Sequence, residues 1–306
     1  MDPAQTPAPG MVMNAPMLGD QSGFDFPSDP VVRFTQALRQ HRGDSLEIMR
    51  GAIIVGATSG IGYELAKVFS LNGYEVGIAG RRTNMLEKLS LELPTRAYAA
   101  TIDVQNTESA IRCLEKLIAD MVDVDVIVLS AGTGHVNPSL DWSRERDTID
   151  TNVSGFTAMA NVAMRYFAQK GSGHLVGISS VACMKGDCVA PAYNASKAFI
   201  SNYLEGLKKK ASKERLAITV TDIRPGFVDT RMMKTYAEDL SKTASGDQEA
   251  AMAKVAGPFW VASPEKAAKQ IYEAIQRKKK KAYVTRRWII AAWLLRVMPD
   301  SIYNRI

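Results

Sequence analysis

The sequence predicts an α/β protein with a doubly wound, mostly parallel seven-stranded sheet and helices on both faces. Three observations predict it. From Gly51 onward, short apolar runs alternate with amphipathic stretches, as in parallel strands joined by helical crossovers. The strand runs are continuously apolar, as a sheet covered on both faces requires. Polar and glycine-rich stretches follow several strands, at the edge where such sheets bind ligands.

Each element is assigned from its apolar pattern and from the residues that break it. The predicted strands are 52–55, 75–79, 97–102, 124–129, 174–178, 216–223 and 282–284. The predicted helices are 63–71, 85–93, 107–121, about 143–169, one that contains Tyr193, and 264–277. Asn72-Gly73 and Pro94 end the first two helices, because Gly and Pro interrupt helical backbone.

A glycine loop (Gly56–Gly62) lies between the first strand and the first helix. Glycine lets the backbone approach a phosphate closely, and a helix N-terminus offers free N–H groups to it. This context predicts a Rossmann-type dinucleotide site. Its predicted binding residues are Gly56, Thr58, Ser59, Gly60, Ile61 and Gly62.

Arg81 and Arg82 follow the second strand. Dinucleotide folds that prefer NAD place an acidic residue at this position to bind the ribose hydroxyls, and no acid is present here. Guanidinium groups suit a 2′-phosphate. We therefore predict NADPH/NADP+ as the cofactor; the alternative is a pair of solvated arginines at a strand end.

Tyr193 and Lys197 are four residues apart, so they share one face of a predicted helix that Pro191 begins. A nearby ammonium stabilises a phenolate and lowers the pKa of the phenol, which makes it a competent acid or base. Taken alone, this spacing favours a surface Tyr and a solvated Lys that merely share a helix face, and the other motifs of the chain reverse that preference.

Further motifs occur in order along the chain: Asp103-Val104, Ala131-Gly132, Asn152, Ser180 and Pro225-Gly226. Together with the glycine loop and the Tyr193/Lys197 pair, they make residues 51–230 resemble a short-chain dehydrogenase/reductase, with the fold continuing to about 285. Two positions depart from the family pattern. Val55 stands where Thr is common, and Ser130 where Asn often precedes Ala-Gly.

The resemblance implies an enzyme that transfers a hydride between NADPH and a ketone or secondary alcohol. It implies that Tyr193 is the acid/base, that Lys197 lowers the Tyr193 pKa and binds the nicotinamide ribose, and that Ser180 binds the substrate oxygen. Asn152 is implied to support a water beside Lys197, and Ser179 is the rival hydroxyl to Ser180. The further cofactor-binding residues it implies are Asp103, Val104, Ala131, Gly132, Pro225, Gly226, Val228 and Thr230.

The composition of the sequence predicts the domain boundaries and argues against metal-binding and nucleic-acid-binding functions. Residues 1–48 are predicted to be a flexible extension with a candidate helix at 31–42, residues 49–285 a single catalytic domain, and 286–306 an apolar-basic C-terminal segment. Three cysteines without C-x-x-C spacing and three scattered histidines predict no metal site and a cytoplasmic location. No nucleic-acid motif is present, and the basic runs are local.

The sequence leaves several alternatives open for the substrate and for the partners. Methionines and aromatic residues in 231–261 suit a bulky apolar substrate, lipid or steroid-like, or ordinary packing of a lid. The apolar stretch 288–298, with the lysine run before it, suits membrane contact through 278–306, packing on a partner subunit, or closure over the substrate. Similar tails occur in 3-ketosphinganine reductases. A homo-oligomer, dimer or tetramer, is expected. The functional alternative is a non-catalytic cofactor-binding or membrane-recruited interaction protein.

Overall fold

The computed structural model describes residues 50–121, 123–243, 260–285 and 287–303. These residues belong to one compact unit that spans 48–306. The expected N-terminal extension, with its candidate helix at 31–42, lies outside the described residues.

A sheet of seven strands forms the centre of the described chain. Its order is β3-β2-β1-β4-β5-β6-β7, and every neighbouring pair is parallel. The strands are β1 (Gly51–Val55), β2 (Glu75–Gly80), β3 (Ala97–Thr101), β4 (Val126–Leu129), β5 (Ser172–Ile178), β6 (Ala217–Pro225) and β7 (Lys281–Val284). The predicted seven-stranded sheet is confirmed, and it is parallel throughout.

Helices connect the strands and cover both faces. They are α1 (Gly60–Leu71), α2 (Thr83–Glu92), α3 (Thr107–Asp120), α4 (Trp142–Ile149), α5 (Phe156–Lys170), α6 (Pro191–Lys213), α7 (Arg231–Thr243), α8 (Pro264–Gln276), α9 (Arg287–Val297) and α10 (Asp300–Tyr303). A π-helical stretch, Asp150–Gly155, joins α4 to α5, and a short 3₁₀ turn, Val181–Met184, follows β5.

Two apolar cores hold the three layers together. On one face, α3, α5 and α6 bury side chains such as Leu114, Phe167 and Leu204 against the sheet. On the other face, α1, α2 and α8 do the same with side chains such as Phe69 and Ile271. Full burial of one such side chain stabilises the fold by about 1.5–3 kcal/mol. The doubly wound architecture of the prediction is therefore confirmed.

The strand order reverses direction between β1 and β4, and this reversal positions the site. Loops leave the carboxyl ends of two adjacent strands toward opposite faces there, which opens a crevice. The first residues of the two loops touch: a Cβ on Gly56 would lie 2.4 Å from the backbone nitrogen of Ala131.

Two helices differ from the prediction. Helix α1 begins at Gly60 rather than at residue 63. The prediction placed the start too late because the first turn contains glycines, whose helix propensity is low. The single helix expected over about 143–169 is interrupted by the stretch Asp150–Gly155, which contains Asn152. One turn of wider helix leaves the apolar period almost unchanged, so periodicity does not detect it.

The C-terminal segment forms α9, whose two sides differ in exposure. Trp288 and Ala292 are buried, whereas Ile290 and Trp293 are 65% and 61% exposed. Within the described residues, no helix has both the length and the apolar character needed to cross a bilayer. The lysine run at 278–281 leads into β7, and α9 follows β7. The lysine run and α9 therefore lie at opposite ends of this strand, about 10 Å apart along it.

Candidate active site

The glycine loop folds back onto the first turn of α1. Gly56 and Gly60 have φ angles of 96° and 59°, a region that favours glycine. A Cβ on Gly62 would lie 2.2 Å from the carbonyl oxygen of Gly56, so the helix can pack this closely only with glycine there. The loop therefore presents its backbone and the N-terminus of α1, preceded by the exposed Ser59, to the crevice.

Arg82 reaches across from the end of β2 to the glycine loop. Its Nη2 donates to the Thr58 carbonyl oxygen at 3.0 Å, to the Thr58 hydroxyl at 2.8 Å and to the Ser59 hydroxyl at 2.8 Å. Arg81, in contrast, is exposed. Only one of the two predicted arginines is thus held against the loop.

A third cation belongs to this cluster. Burial lowers the pKa of Arg82, and the charges of Arg231 and Arg81 lower it further. Three cations close enough to disfavour one another form a site suited to an anion. Sequence reasoning missed Arg231, although a cation directly after the predicted cofactor residue Thr230 was an available signal.

Asp103 and Val104 follow β3, beside the end of β2. Ile102 donates its backbone N–H to the Gly80 carbonyl oxygen at 3.0 Å, which holds the two strand ends together. The Asp103 side chain is exposed there, and Val104 is buried against Gly155. Asp103 therefore lies at the same edge as the arginine cluster.

Tyr193 and Lys197 project from the first two turns of α6, which begins at Pro191. Lys197 is only 4% exposed, and its Nζ donates to the Ile178 carbonyl oxygen at 3.2 Å and lies 5.6 Å from the centre of the Tyr193 ring. Burial lowers the pKa of Lys197 to about 8, opposed by the negative charge of Asp222. The ammonium form therefore still predominates at pH 7.

Ser180, the last residue before the 3₁₀ turn, lies beside the Tyr193 phenol, and its Oγ donates to the Pro225 carbonyl oxygen at 3.5 Å. Burial raises the pKa of Tyr193, and the Ser180 hydroxyl opposes that rise. The direction is opposite to the lowering expected from Lys197, because desolvation of the phenolate outweighs the stabilising contacts in this structure.

The two neighbouring serines point to different partners. Ser179 donates to the Asp222 carboxylate and to the Ile223 carbonyl oxygen, within the sheet. Ser180 faces Tyr193 instead, and its Oγ accepts the Ala182 N–H at 3.1 Å. The structure therefore brings Ser180, not Ser179, to the phenol.

Asn152 is fully buried and links three parts of the site. Its Oδ1 accepts the Thr133 N–H at 2.9 Å, and its Nδ2 donates to the Thr133 carbonyl oxygen at 2.7 Å and to Ser196 Oγ at 2.9 Å. Helical π-bulges frequently mark functional positions. Here the π-helical stretch turns Asn152 toward the loop after β4 and toward α6.

That loop, 130–137, forms one wall of the site. A Cβ on Gly132 would lie 3.3 Å from both Asn152 Oδ1 and Lys197 Nζ, so these two polar atoms face the same glycine. A Cβ on Gly134 would lie 2.4 Å from the Tyr193 ring. Sequence reasoning missed Gly134, although it lies two residues after the predicted Ala131-Gly132 motif.

Comparison with known proteins identifies the family. A family model described as short chain dehydrogenase matches residues 50–241. The chain belongs to the short chain dehydrogenase family. The resemblance stated from the motifs is therefore confirmed, and the chain is an oxidoreductase of this family.

Individual relatives agree with this assignment. An uncharacterized oxidoreductase of Myxococcus xanthus is 34% identical over 191 residues, which cover 61% of this chain and 75% of that protein. Dehydrogenase/reductase SDR family member 7B of Danio rerio is 29% identical over 266 residues, 83% of each chain. A crystal structure of an actinorhodin polyketide ketoreductase with NADPH shares the fold, with a TM-score of 0.69, 24% identity, and coverage of 79% of this chain and 97% of that one.

Behind the phenol, this short chain dehydrogenase has a buried ion pair in β6. Arg224 Nε donates to Asp222 Oδ2 at 2.7 Å, and the side chains are 7% and 4% exposed. Ser201, one turn after Lys197, donates to the same carboxylate oxygen at 2.8 Å. Two charged residues inside a strand that lies between β5 and β7 were a signal that sequence reasoning did not use. The pair and Ser201 therefore link β6 to α6, the helix that carries Tyr193 and Lys197.

The segment after β6, Pro225–Thr230, closes the crevice. A Cβ on Gly60 would lie 3.0 Å from the Thr230 side chain, so this segment meets the glycine loop. Val228 pairs with Ala262 in an isolated β-bridge. Of the predicted cofactor residues in this segment, Thr230 therefore meets the glycine loop, whereas Val228 is buried.

The substrate side is bordered by α7 and by the loop that precedes α6. Burial raises the pKa of Tyr236, and the groups that raise it further include Asp187, Tyr193 and Cys188. The Tyr236 and Tyr193 side chains are therefore near enough for their charges to interact. Met232 and Met233 are half-buried on the same helix, whereas the sequence candidates Met252 and Phe259 lie outside the described residues.

Cys183, in the turn after Ser180, does not have the character of a reactive thiol. Burial raises the pKa of the Cys183 thiol, and Arg224 and Asp222 are among the charges that it faces. Cys188 is exposed at the substrate side. In the described part of the chain, no three His, Cys, Asp or Glu side chains come together as metal ligands.

Proposed function

We propose that this short chain dehydrogenase is an NADPH-dependent carbonyl reductase that acts on a bulky apolar ketone, lipid or steroid-like, or on the corresponding secondary alcohol. The observation that carries the proposal is the convergence of the Tyr193 phenol, the Ser180 hydroxyl and the buried Lys197 ammonium beside the crevice of the glycine loop. A protein that only bound the cofactor would have no use for a buried phenol next to a buried amine.

The residues around the crevice fit a phosphorylated dinucleotide. The glycine loop and the N-terminus of α1 suit a pyrophosphate. The cluster of Arg82, Arg81 and Arg231 suits a 2′-phosphate, and the related actinorhodin ketoreductase was solved with NADPH. The residues proposed to bind the cofactor are the glycine-loop residues with Arg81, Arg82, Asp103, Val104, Ala131, Gly132, Tyr193, Lys197, Pro225, Gly226, Val228 and Thr230.

In this proposal the chain's own residues manage the proton. A bound nicotinamide supplies the hydride that converts the carbonyl carbon to the alcohol carbon. The Tyr193 O–H bond breaks as its proton passes to the substrate oxygen, while Ser180 donates a hydrogen bond to that oxygen. The resulting phenolate is stabilised by the Lys197 ammonium, which is protonated at pH 7 because its pKa is about 8. Asn152 positions these groups, because its side chain is hydrogen-bonded both to Thr133 in the loop 130–137 and to Ser196 in α6.

The apolar character of the substrate is supported by α7. Tyr236, Met232 and Met233 place aromatic and flexible thioether side chains on the helix that approaches Tyr193. Such side chains line sites for apolar ligands and adapt to their shape.

The proposal is tested by following NADPH oxidation with ketones of graded size and polarity. We expect turnover with long-chain or polycyclic ketones, slower turnover with small polar ketones, and slower turnover again when NADH replaces NADPH. Absence of turnover with every ketone, or selectivity for small polar ketones, would contradict the proposed activity or the proposed substrate class.

A second role is favoured by the outer side of α9. Ile290 and Trp293 are 65% and 61% exposed, and Ile289, Leu294 and Val297 on the same side are also exposed. We propose that this face lies in the interface of a lipid membrane, where tryptophan and aliphatic side chains are stable. The expected homo-oligomer stays a prediction, and a second copy of the chain is the rival occupant of this face.

Vesicle flotation separates these occupants. We expect the protein to float with phosphatidylcholine–phosphatidylserine vesicles, and the double variant Ile290→Glu/Trp293→Glu to remain in the dense fraction. Trp142→Glu is the matched control, since Trp142 is a 64% exposed tryptophan on α4. A wild-type protein that does not float, or a double variant that floats equally well, would contradict membrane contact through α9.

A further inference from the structure

The segment between β6 and α8 leaves the sheet and returns to the same place. At its neck, the Asp229 N–H donates to the Ala262 carbonyl oxygen at 2.9 Å, and the Ala262 N–H donates to the Phe227 carbonyl oxygen at 3.0 Å. The segment therefore starts and ends side by side, and it carries α7, the helix that approaches Tyr193.

Trp288, the second residue of α9, packs on both sides of this neck. Its ring lies edge to face with Phe227, with ring centres 5.2 Å apart, and at the same distance from Trp260. Its Nε1 donates to the Trp260 carbonyl oxygen at 3.2 Å. Phe227 belongs to the departing chain and Trp260 to the returning chain, so one buried indole joins them.

The same indole also covers the end of β6. A Cβ on Gly226 would lie 2.0 Å from the Trp288 ring, so the ring occupies the space that a side chain there would fill. Gly226 precedes the stretch that reaches Thr230 and the glycine loop. The indole therefore packs against the residue that begins this wall of the crevice.

The rest of the C-terminal segment contacts the opposite wall. Helix α9 packs on the turn Val181–Met184, which directly follows Ser180. Farther along, the Tyr303 hydroxyl donates to the Gly186 carbonyl oxygen, and Lys185 Nζ lies 5.4 Å from the centre of the Tyr303 ring. The segment 287–303 thus contacts both loops that border Tyr193.

We propose that Trp288 is a positioning residue: it holds the neck of the segment 227–262 closed and thereby fixes the wall formed by Gly226 and Thr230 against the glycine loop. The inference rests on the proposed function for its ligand, NADPH. Closing a long segment has a conformational cost, and packing at its neck opposes local opening. Without the indole, the two chains lose the ring that both of them contact, while the Asp229–Ala262 and Ala262–Phe227 backbone hydrogen bonds and the cores on either face of the sheet remain.

The test compares Trp288→Ala with Trp293→Ala, which removes the exposed tryptophan of the same helix. Calorimetric titration with NADPH is expected to give a Kd raised about 10-fold for Trp288→Ala and little changed for Trp293→Ala, in line with loss of part of a packed contact. Limited trypsin digestion is expected to cut faster after Arg231 and Lys234 in Trp288→Ala only. Equal affinity and equal cleavage in the two variants would overturn the proposal.

Two additions keep the test decisive. Trp288→Phe retains a ring over Gly226 and lacks the N–H, so it is expected to recover most of the NADPH affinity and most of the protease resistance. If Trp288→Ala does not fold, the proposal is supported when Trp288→Phe is digested like wild type and its NADPH affinity is less than about 3-fold below that of Trp293→Ala. The proposal is overturned when Trp288→Phe and Trp288→Leu are digested at the same rate. Wild-type protein that fails to bind NADPH would refute the proposed function alone, because digestion tests the neck without cofactor.

Discussion

Replacing Tyr193 by Phe is expected to lower kcat for ketone reduction by at least about 100-fold, because it removes the hydroxyl that is proposed to give its proton to the substrate oxygen. The ring keeps its packing against Gly134, and Lys197 keeps its bond to the Ile178 carbonyl oxygen. KM for NADPH is therefore expected to change much less than kcat. Steady-state rates with the best ketone of the panel measure both quantities.

Tyr203→Phe is the matched control for this experiment. Tyr203 lies on the same helix, and its hydroxyl bonds to Asn161 Oδ1 at 2.9 Å near the surface, away from Ser180. Loss of this hydroxyl is expected to leave kcat within about 2-fold of the wild-type value, as is usual for a surface substitution. Equal rates for wild type and Tyr193→Phe would refute the assignment of the acid.

Replacing Arg82 by Gln is expected to lower kcat/KM for NADPH by roughly 10- to 100-fold and to leave kcat/KM for NADH within about 3-fold. A hydrogen bond to a charged group contributes about 1.5–3 kcal/mol, and each 1.4 kcal/mol is a factor of ten. NADH lacks the 2′-phosphate that the guanidinium is proposed to bind, so its rate has less to lose. The ratio of the two kcat/KM values is the measurement.

Arg81→Gln provides the comparison at the neighbouring position. The Arg81 side chain is exposed, whereas Arg82 is held on Thr58 and Ser59, so the Arg81 variant is expected to show the smaller change. Because Arg82 also ties down the glycine loop, thermal unfolding of both variants is needed beside the kinetics. A preference for NADH in the wild-type protein, or an unchanged ratio in Arg82→Gln, would contradict the cofactor prediction.

Much of the fold was predictable from the sequence because strands and helices are encoded locally. The apolar runs predicted all seven strands to within two or three residues at each end, and their continuity predicted a sheet covered on both faces. The motifs predicted the residues that the structure brings together at one edge, since parallel strands place their carboxyl ends at the same edge.

The remainder of the site depended on contacts between distant parts of the chain. The π-helical stretch that turns Asn152 inward leaves no mark on an apolar period. The Asp222–Arg224 pair becomes meaningful only when β6 is seen to lie between β5 and β7, with both side chains buried. The direction of the Tyr193 pKa could not be deduced from the spacing to Lys197, because burial of the phenol depends on the loop at Gly134 and on Ser180.

The sequence by itself determined the doubly wound sheet, the family and the set of polar residues at the carboxyl edge, because each of these follows from patterns within a few tens of residues. Only the tertiary structure decided which arginine meets the glycine loop, which serine meets the phenol, and that Trp288 joins Phe227 to Trp260. It also separated the lysine run from α9. These outcomes depend on which surfaces pack together and on which charged groups are desolvated by burial. Neither can be deduced from residues that are adjacent in the sequence.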